Sequence, residues 1–256
     1  MPEKIIYEQP LNERIRTFLR LEFLFARVDH ALQHNDELNN RNAIDGLLNL
    51  LSVFERSDLK QEIIKELERL VSTLSALENT PGVDKRALDN LLNELDQTLD
   101  SLHLNKTAIG QTLRENDFLY SIRQRASIPG GSCDFDLPAY HFWLRHTPDE
   151  ARKQQLLNWL NQFANMRAAI EISLRLIRGS TGFTSATADA GFFQQNLDSG
   201  QSNQLIRVQV MNDTAYYPEI SGGKHRFTVR LMHFDINQRA RQVTENVDFS
   251  LSICAM

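Results

Sequence analysis

Residues 226–231 read Arg226-Phe227-Thr228-Val229-Arg230-Leu231, with polar and apolar side chains in strict alternation. A period of two places successive side chains on opposite faces of a β-strand, so this stretch predicts a strand with one apolar face and one wet face. The same alternation recurs over residues 206–210 and 246–253. Such strands indicate an antiparallel sheet that covers a core on one side, in contrast to the doubly buried strands of α/β enzymes.

Upstream of Gly179 the apolar residues follow the helical period instead. They recur at spacings of three and four over residues 11–34, 44–54, 63–77 and 88–102, a shorter helix is expected near residues 111–126, and a long helix is predicted over residues 148–178. The sequence therefore predicts an α+β fold. An N-terminal helical bundle domain, residues 1–180, would precede a small antiparallel β domain, residues 181–256, with the long helix linking the two.

The first predicted helix carries an unusually broad apolar face. Phe18, Leu21 and Phe25 lie on one stripe, and Phe23 and Leu24 widen it. A helix that is apolar over so much of its circumference must be covered from more than one side, either by its own domain or by a second subunit. Packing within a bundle is the simpler alternative. We also expect a dimer, with Phe18, Leu21 and Phe25 contributing to its interface.

Composition narrows the class of protein. The chain has 256 residues, a formal net charge of -5 and two cysteines. This charge gives the molecule as a whole no attraction to nucleic acid or anionic lipid, and two cysteines are too few for a disulfide framework. The N-terminal residues do not resemble a secretory signal, and no apolar run approaches the ~20 residues that cross a bilayer. We expect a cytoplasmic protein that is not inserted in a membrane.

Histidine and cysteine offer little support for an enzyme. His30 and His34 are four residues apart on one helix but lack a third ligand, so no metal site is predicted. Cys133 lies near His141 in the sequence, yet a catalytic thiol needs a base within hydrogen-bond reach, and a buried structural cysteine is the better interpretation. A cysteine hydrolase is the least favoured class, and we expect no catalytic residues and no cofactor.

A local basic window is more informative. No acidic residue lies between Glu219 and Asp235, whereas Lys224, His225, Arg226 and Arg230 all fall in this interval. Alternation places Arg226 and Arg230 on the same wet face, because they are four residues apart on one strand. Two guanidinium groups side by side suit the carboxylates of a peptide or the phosphates of a nucleic acid. The alternative is an ordinary solvated strand face.

Several short motifs are distinctive when they are taken together. They are Leu11-Asn12-Glu13, Arg20-Leu21-Glu22-Phe23-Leu24, Val53-Phe54-Glu55-Arg56, Ser127-Ile128-Pro129-Gly130-Gly131, Phe135-Asp136-Leu137-Pro138 and Tyr217-Pro218-Glu219-Ile220-Ser221-Gly222. In this combination they resemble one family, the Z-ring-associated ZapD proteins of Gram-negative bacteria, and the resemblance runs from about Tyr7 to the end of the chain.

The resemblance implies a non-enzymatic protein of cell division and septation. Members form homodimers that bind the C-terminal tail of FtsZ and cross-link FtsZ filaments into bundles at the mid-cell Z-ring. The positions that match the family's basic binding surface are Arg56, Arg226 and Arg230, with Lys224 as a neighbour and His225 and Arg114 as possible additions. At Arg114-Glu115-Asn116-Asp117 the sequence departs from the family, with Asp117 at a position where a basic residue is expected. A nucleic-acid-binding adaptor that uses the same basic strand face is the alternative function.

Overall fold

The computed structural model describes residues 4–34, 36–55, 58–104 and 107–256. They form two compact units. The β unit comprises the residues up to Thr17 together with Leu174–Met256, and the helical unit is Phe18–Ser173. The domain boundary predicted at residues 180 and 181 does not coincide with this division, which places the N-terminal residues with the strands. Whether the two parts are independent domains stays a prediction.

The helices confirm the α part of the predicted α+β fold. Their bounds are α1 Glu13–Leu32, α2 Glu37–Phe54, α3 Leu59–Ser75, α4 Lys85–Leu104, α5 Gln111–Arg114, α6 Asp117–Ala126, α7 Pro138–His146, α8 Asp149–Leu160 and α9 Ala164–Gly179. A 3-10 turn at Asn161–Phe163 interrupts the long helix predicted over residues 148–178. Leu160, Asn161 and Ala164 all keep right-handed helical backbone angles, so the interruption is a tightening of one turn.

Side-chain caps begin several of these helices. The Asp36 carboxylate accepts a hydrogen bond from the backbone N–H of Asn39 at 2.9 Å, and the Asn116 side chain accepts from Leu119 at 3.0 Å. Each cap satisfies a backbone N–H that has no partner within the helix. Asp58 makes no such side-chain cap at the start of α3, although its spacing from Gln61 suggests a capping box.

The apolar face of α1 is buried by the chain itself. Phe18, Leu21 and Phe25 have at most 2% of their surface exposed. At Gly46 of α2, an added Cβ would lie 2.5 Å from a methyl group of Val28, so α1 and α2 pack closely there. Because a fully covered side chain has no surface left for a second copy, these three residues are core residues rather than interface residues. The exposed aromatic on this helix is Phe23, at 62%.

The strands form two antiparallel sheets. Their bounds are β1 Lys4–Pro10, β2 Thr184–Ala188, β3 Phe192–Asn196, β4 Asn203–Met211, β5 Tyr216–Gly222, β6 Arg226–His233, β7 Arg241–Gln242 and β8 Val247–Ala255. Sheet A has the order β1-β4-β8-β2, and sheet B has the order β3-β6-β5 with β7 beside β6. Their inward side chains form one apolar cluster that includes Val208, Phe227, Val229 and Phe249. The wet strand faces predicted from alternation are confirmed for β6.

The first strand also anchors the end of α9. The Glu8 carboxylate accepts hydrogen bonds from Arg178 at 2.9 and 2.7 Å and from Arg207 at 3.0 Å. Glu8 is largely buried, so its single negative charge is shared by two guanidinium groups in a poorly solvated place. Residues 4–10 therefore belong to the β unit through both backbone pairing and charge.

Candidate functional site

Strand β6 presents two arginines on the outward face of sheet B. Arg226 and Arg230 are exposed. Phe227 and Val229, which lie between them in the sequence, and Leu231, which follows them, are fully buried. The burial pattern thus confirms the face predicted by alternation. The burial of the three apolar side chains fixes which face of the strand points outward. A shift of the strand register by one residue would expose these side chains to water and bury the arginines in the core.

Strand pairing identifies the neighbours of these arginines. Arg230 lies opposite Phe192 of β3 on one side and Glu219 of β5 on the other. Arg226 lies opposite Asn196 of β3. The outward face of sheet B therefore carries an exposed aromatic ring and a carboxylate beside the cationic row. Sequence reasoning missed Phe192, because the short β3 segment Phe192–Asn196 does not alternate clearly.

The charges of this face are not used internally. Within the described ranges, Lys224, Arg226 and Arg230 form no ion pair with another residue. Even Glu219, next to Arg230 in the register, does not close a salt bridge with it. The two arginines on this face of sheet B are thus available to an external anion.

Lys224 and His225 lie in the turn that joins β5 to β6. The backbone N–H of Gly223 donates to the carbonyl of Arg226 at 3.0 Å, and the N–H of Leu197 donates to the carbonyl of His225 at 2.8 Å. These bonds hold the turn, while both side chains remain exposed. Lys224 and His225 also line a polar depression of about 280 Å³ together with Asp198. We call the group Lys224, Arg226 and Arg230 the basic face.

The two predicted residues from the helical part are in different situations. Arg56 lies outside the described residues. Arg114 is the last residue of α5, in the helical unit, and is half-buried. Its charge acts on Glu55, whose pKa is held below its usual range mainly by a side-chain hydrogen bond from Arg123. Arg123 is bonded to both oxygens of Glu55, so it is an internal partner rather than a free cation.

The alternative chemistry of Cys133 and His141 gains no support from the contacts. The Cys133 thiol lies 3.4 Å from a carboxylate oxygen of Asp136, and Nδ1 of His141 lies 2.9 Å from Asp134. The thiol and the imidazole thus each contact a different carboxylate, and neither of these contacts pairs the two groups as nucleophile and base. Across the described ranges, no three His, Cys, Asp or Glu side chains gather as a potential metal site. Nor does any described helix combine the length and apolar character needed to cross a membrane.

Comparison with known proteins identifies the family. A family model described as "ZapD: Cell division protein" matches residues 19–230. The chain belongs to the ZapD family. "Cell division protein ZapD" of Methylococcus capsulatus is 39% identical over 256 residues and is matched along its whole length, as is this chain. The ZapD proteins of Cupriavidus pinatubonensis and Dechloromonas aromatica are 41% and 42% identical over 251 residues, which is 98% of this chain and 99% of each relative.

The ZapD relatives connect the part of the chain that carries the basic face with cell division. They are named for cell division, and the family match includes β6 up to Arg230. The resemblance that the short motifs suggest is therefore confirmed at the level of the family. The roles of Arg56, Lys224, Arg226 and Arg230 in partner binding stay predictions.

Proposed function

We propose that this chain is a non-enzymatic cell division adaptor that binds the C-terminal tail of FtsZ through its basic face. Membership of the ZapD family supports a role in cell division. The exposed arginines of the basic face support binding of an acidic peptide. The observation that carries the proposal is that Arg226 and Arg230 stand on one exposed face without an ion pair among the described residues. Binding would take place in the cytoplasm, at the mid-cell division site.

The chemistry of the face suits a short peptide with acidic and apolar residues. Arg226 and Arg230 can each donate charge-assisted hydrogen bonds to a carboxylate, and Arg offers a fixed fork of donors for this purpose. Phe192 lies beside Arg230 and offers an apolar ring, 37% exposed, to a neighbouring side chain. Exposed ion pairs contribute only ~0.2–1 kcal/mol each and are screened by salt, so one tail should bind weakly.

Dimerisation would offset this weakness. A homodimer carries two basic faces, and once one face is occupied on a filament the second meets neighbouring tails at high effective concentration. Filament cross-linking and bundling at the Z-ring follow from this avidity. Since Phe18, Leu21 and Phe25 are buried in the chain, the interface would have to use exposed positions, and a monomer in light scattering at micromolar concentration would remove the bridging mechanism.

A charge-reversal experiment tests the proposal. Fluorescence anisotropy of a labelled FtsZ tail peptide should show a loss of affinity of at least about tenfold in Arg226→Glu with Arg230→Glu, because repulsion replaces two charge-assisted contacts. Both side chains are exposed, so the melting temperature should hardly change. The matched control is Arg239→Glu with Arg241→Glu, which makes the same charge change at other exposed positions of the β unit. Equal affinity in the two double variants would reject the basic face as the binding site.

The nucleic-acid alternative makes a different prediction. The basic face by itself could attract phosphate, but the chain as a whole carries a net charge of -5, which opposes the binding of a long phosphate backbone. A gel-shift assay with single-stranded DNA and RNA should therefore show no complex at physiological salt. A salt-sensitive shift that the double variant abolishes would favour the alternative.

A further inference from the structure

A second depression in the β unit is lined mainly by aromatic rings. Its walls are Tyr7 of β1, Tyr216 and Tyr217 of β5, Phe234 directly after β6, and Thr214 and Ala215 of the loop before β5. It encloses about 430 Å³ and is open to solvent on one side. Phe234 is 71% exposed, which is a large apolar surface to leave in contact with water. β1 and β5 are the outermost described strands of their sheets, so a ligand can approach from this edge.

Carboxylates act on two of these rings, Tyr216 and Tyr217. Burial raises the pKa of Tyr216, and the negative charges of Asp213, Asp248 and Glu245 raise it further. The pKa of Tyr217 is raised in the same way by desolvation and by Glu219, whose carboxylate lies 3.4 Å from the Tyr217 hydroxyl.

Basic groups also lie nearby. Lys4 lines a neighbouring depression together with Tyr216 and Asp248, and His233 is opposite Tyr216 in the strand register. Arg230 of the basic face also lies opposite Glu219 in the register, so the four carboxylates are set against three basic side chains, Lys4, His233 and Arg230.

Aromatic rings with an acidic surround favour one kind of ligand. The face of an aromatic ring is negative, so it attracts a cation within about 6 Å of its centre, and the attraction grows as water is excluded. An anion would be repelled by the carboxylates, and a purely apolar group would gain nothing from them. We propose that this aromatic depression binds the cationic side chain of an arginine presented by a protein partner. The planar guanidinium can stack on a ring and donate to a carboxylate at the same time.

This inference does not rest on tail binding by the basic face, because the two surfaces select opposite charges. Arg226 and Arg230 attract an anion, whereas the aromatic depression attracts a cation. Their tests can therefore fail independently. A variant of the depression should leave the charge-reversal result at the basic face unchanged.

The test compares two peptides that differ in charge alone. Acetyl-Gly-Arg-Gly-amide and the same peptide with citrulline have nearly the same shape, but only arginine is charged. Titration of the full chain, with ring-labelled tyrosines followed by NMR, should shift Tyr7, Tyr216 and Tyr217 with the arginine peptide. The citrulline peptide should bind about two- to thirty-fold more weakly. Equal shifts with both peptides, or none at tens of millimolar peptide, would overturn the proposal.

Substitution of the exposed ring separates cation binding from folding. Phe234→Leu keeps an apolar side chain of similar reach but removes the π face, and the residue is too exposed for the change to unfold the chain. We expect it to weaken the arginine peptide severalfold and Phe234→Tyr to restore the affinity. Phe135→Leu, at another highly exposed ring outside the depression, is the matched control. If Phe234→Leu binds the arginine peptide as well as Phe135→Leu does, the aromatic depression is not the site.

Discussion

Two groups of arginines in the β unit differ in whether the protein already uses their charge. Arg178 and Arg207 share the Glu8 carboxylate at 2.7–3.0 Å. Arg226 and Arg230 have no such partner among the described residues. Arg207, Arg226 and Arg230 look alike in the sequence, as basic residues within predicted strands, whereas Arg178 ends the long predicted helix. The comparison shows that the function of an arginine depends on what the neighbouring strand supplies, and here β1 supplies Glu8 to one group only.

The largest effect is expected on stability, when the shared partner of the paired arginines Arg178 and Arg207 is removed. Glu8→Gln should lower the free energy of unfolding by about 2–3 kcal/mol, because it removes a charged acceptor from two guanidinium groups in a largely buried place. Urea unfolding followed by circular dichroism measures this. Tail binding at neutral pH should be unchanged where the chain remains folded. A change below about 0.5 kcal/mol would show that water replaces Glu8, and the distinction between the two groups would disappear.

Another paired arginine, Arg123 of the helical unit, should make the stability of the fold depend on pH. The hydrogen bond from Arg123 lowers the pKa of Glu55 in the folded chain. The pair therefore stabilises the fold above the carboxyl's unfolded pKa of about 4.3, and this contribution is lost as the pH falls through the lower folded value. Since Arg123 is more than a third exposed, the contribution should be only about 0.5–1 kcal/mol.

The measurement is the difference in unfolding free energy between the wild type and Arg123→Gln. This difference should be fully present near pH 6 and should be smaller at pH 3, below the carboxyl's unfolded pKa of about 4.3. Arg239→Gln, at an exposed position, should give no difference at either pH. If the Arg123→Gln difference is as large at pH 3 as at pH 6, the pair is not held together by the Glu55 charge.

The outward position of the basic face was predictable from the sequence, and its surroundings were not. Alternation at residues 226–231 is a local property, so burial of Phe227 and exposure of Arg226 follow from one strand alone. Phe192 and Glu219 become neighbours of Arg230 only through pairing with β3 and β5. Cross-strand neighbours depend on the register between segments far apart in the chain, which a single sequence does not show.

Near the N-terminus the structure differs from the prediction in two ways, and both again depend on contacts between distant segments. Residues 4–10 mix apolar and polar side chains without clear alternation, so β1 and the ion pairs of Glu8 were not predicted. The broad stripe of α1 was predicted, but its covering was not, because an apolar face shows that a partner exists and not whether the partner is the same chain. Phe18, Leu21 and Phe25 turned out to be covered from within.

The smallest effect is expected on the affinity of the basic face for the tail, when the neighbouring Glu219 loses its charge. Glu219 lies opposite Arg230 and is exposed, so it repels the carboxylate of a bound tail without closing a salt bridge of its own. Glu219→Gln should therefore strengthen binding of the FtsZ tail peptide by about 0.2–0.5 kcal/mol, close to a twofold change in affinity. Glu150→Gln makes the same charge change at an exposed position of the helical unit and should leave the affinity unchanged. Anisotropy titrations at low salt, where screening is weakest, give the best chance of resolving the difference. If both variants bind alike, the tail does not pass over Arg230, and binding by the basic face would have to rest on Lys224 and Arg226 at the other end of the strand.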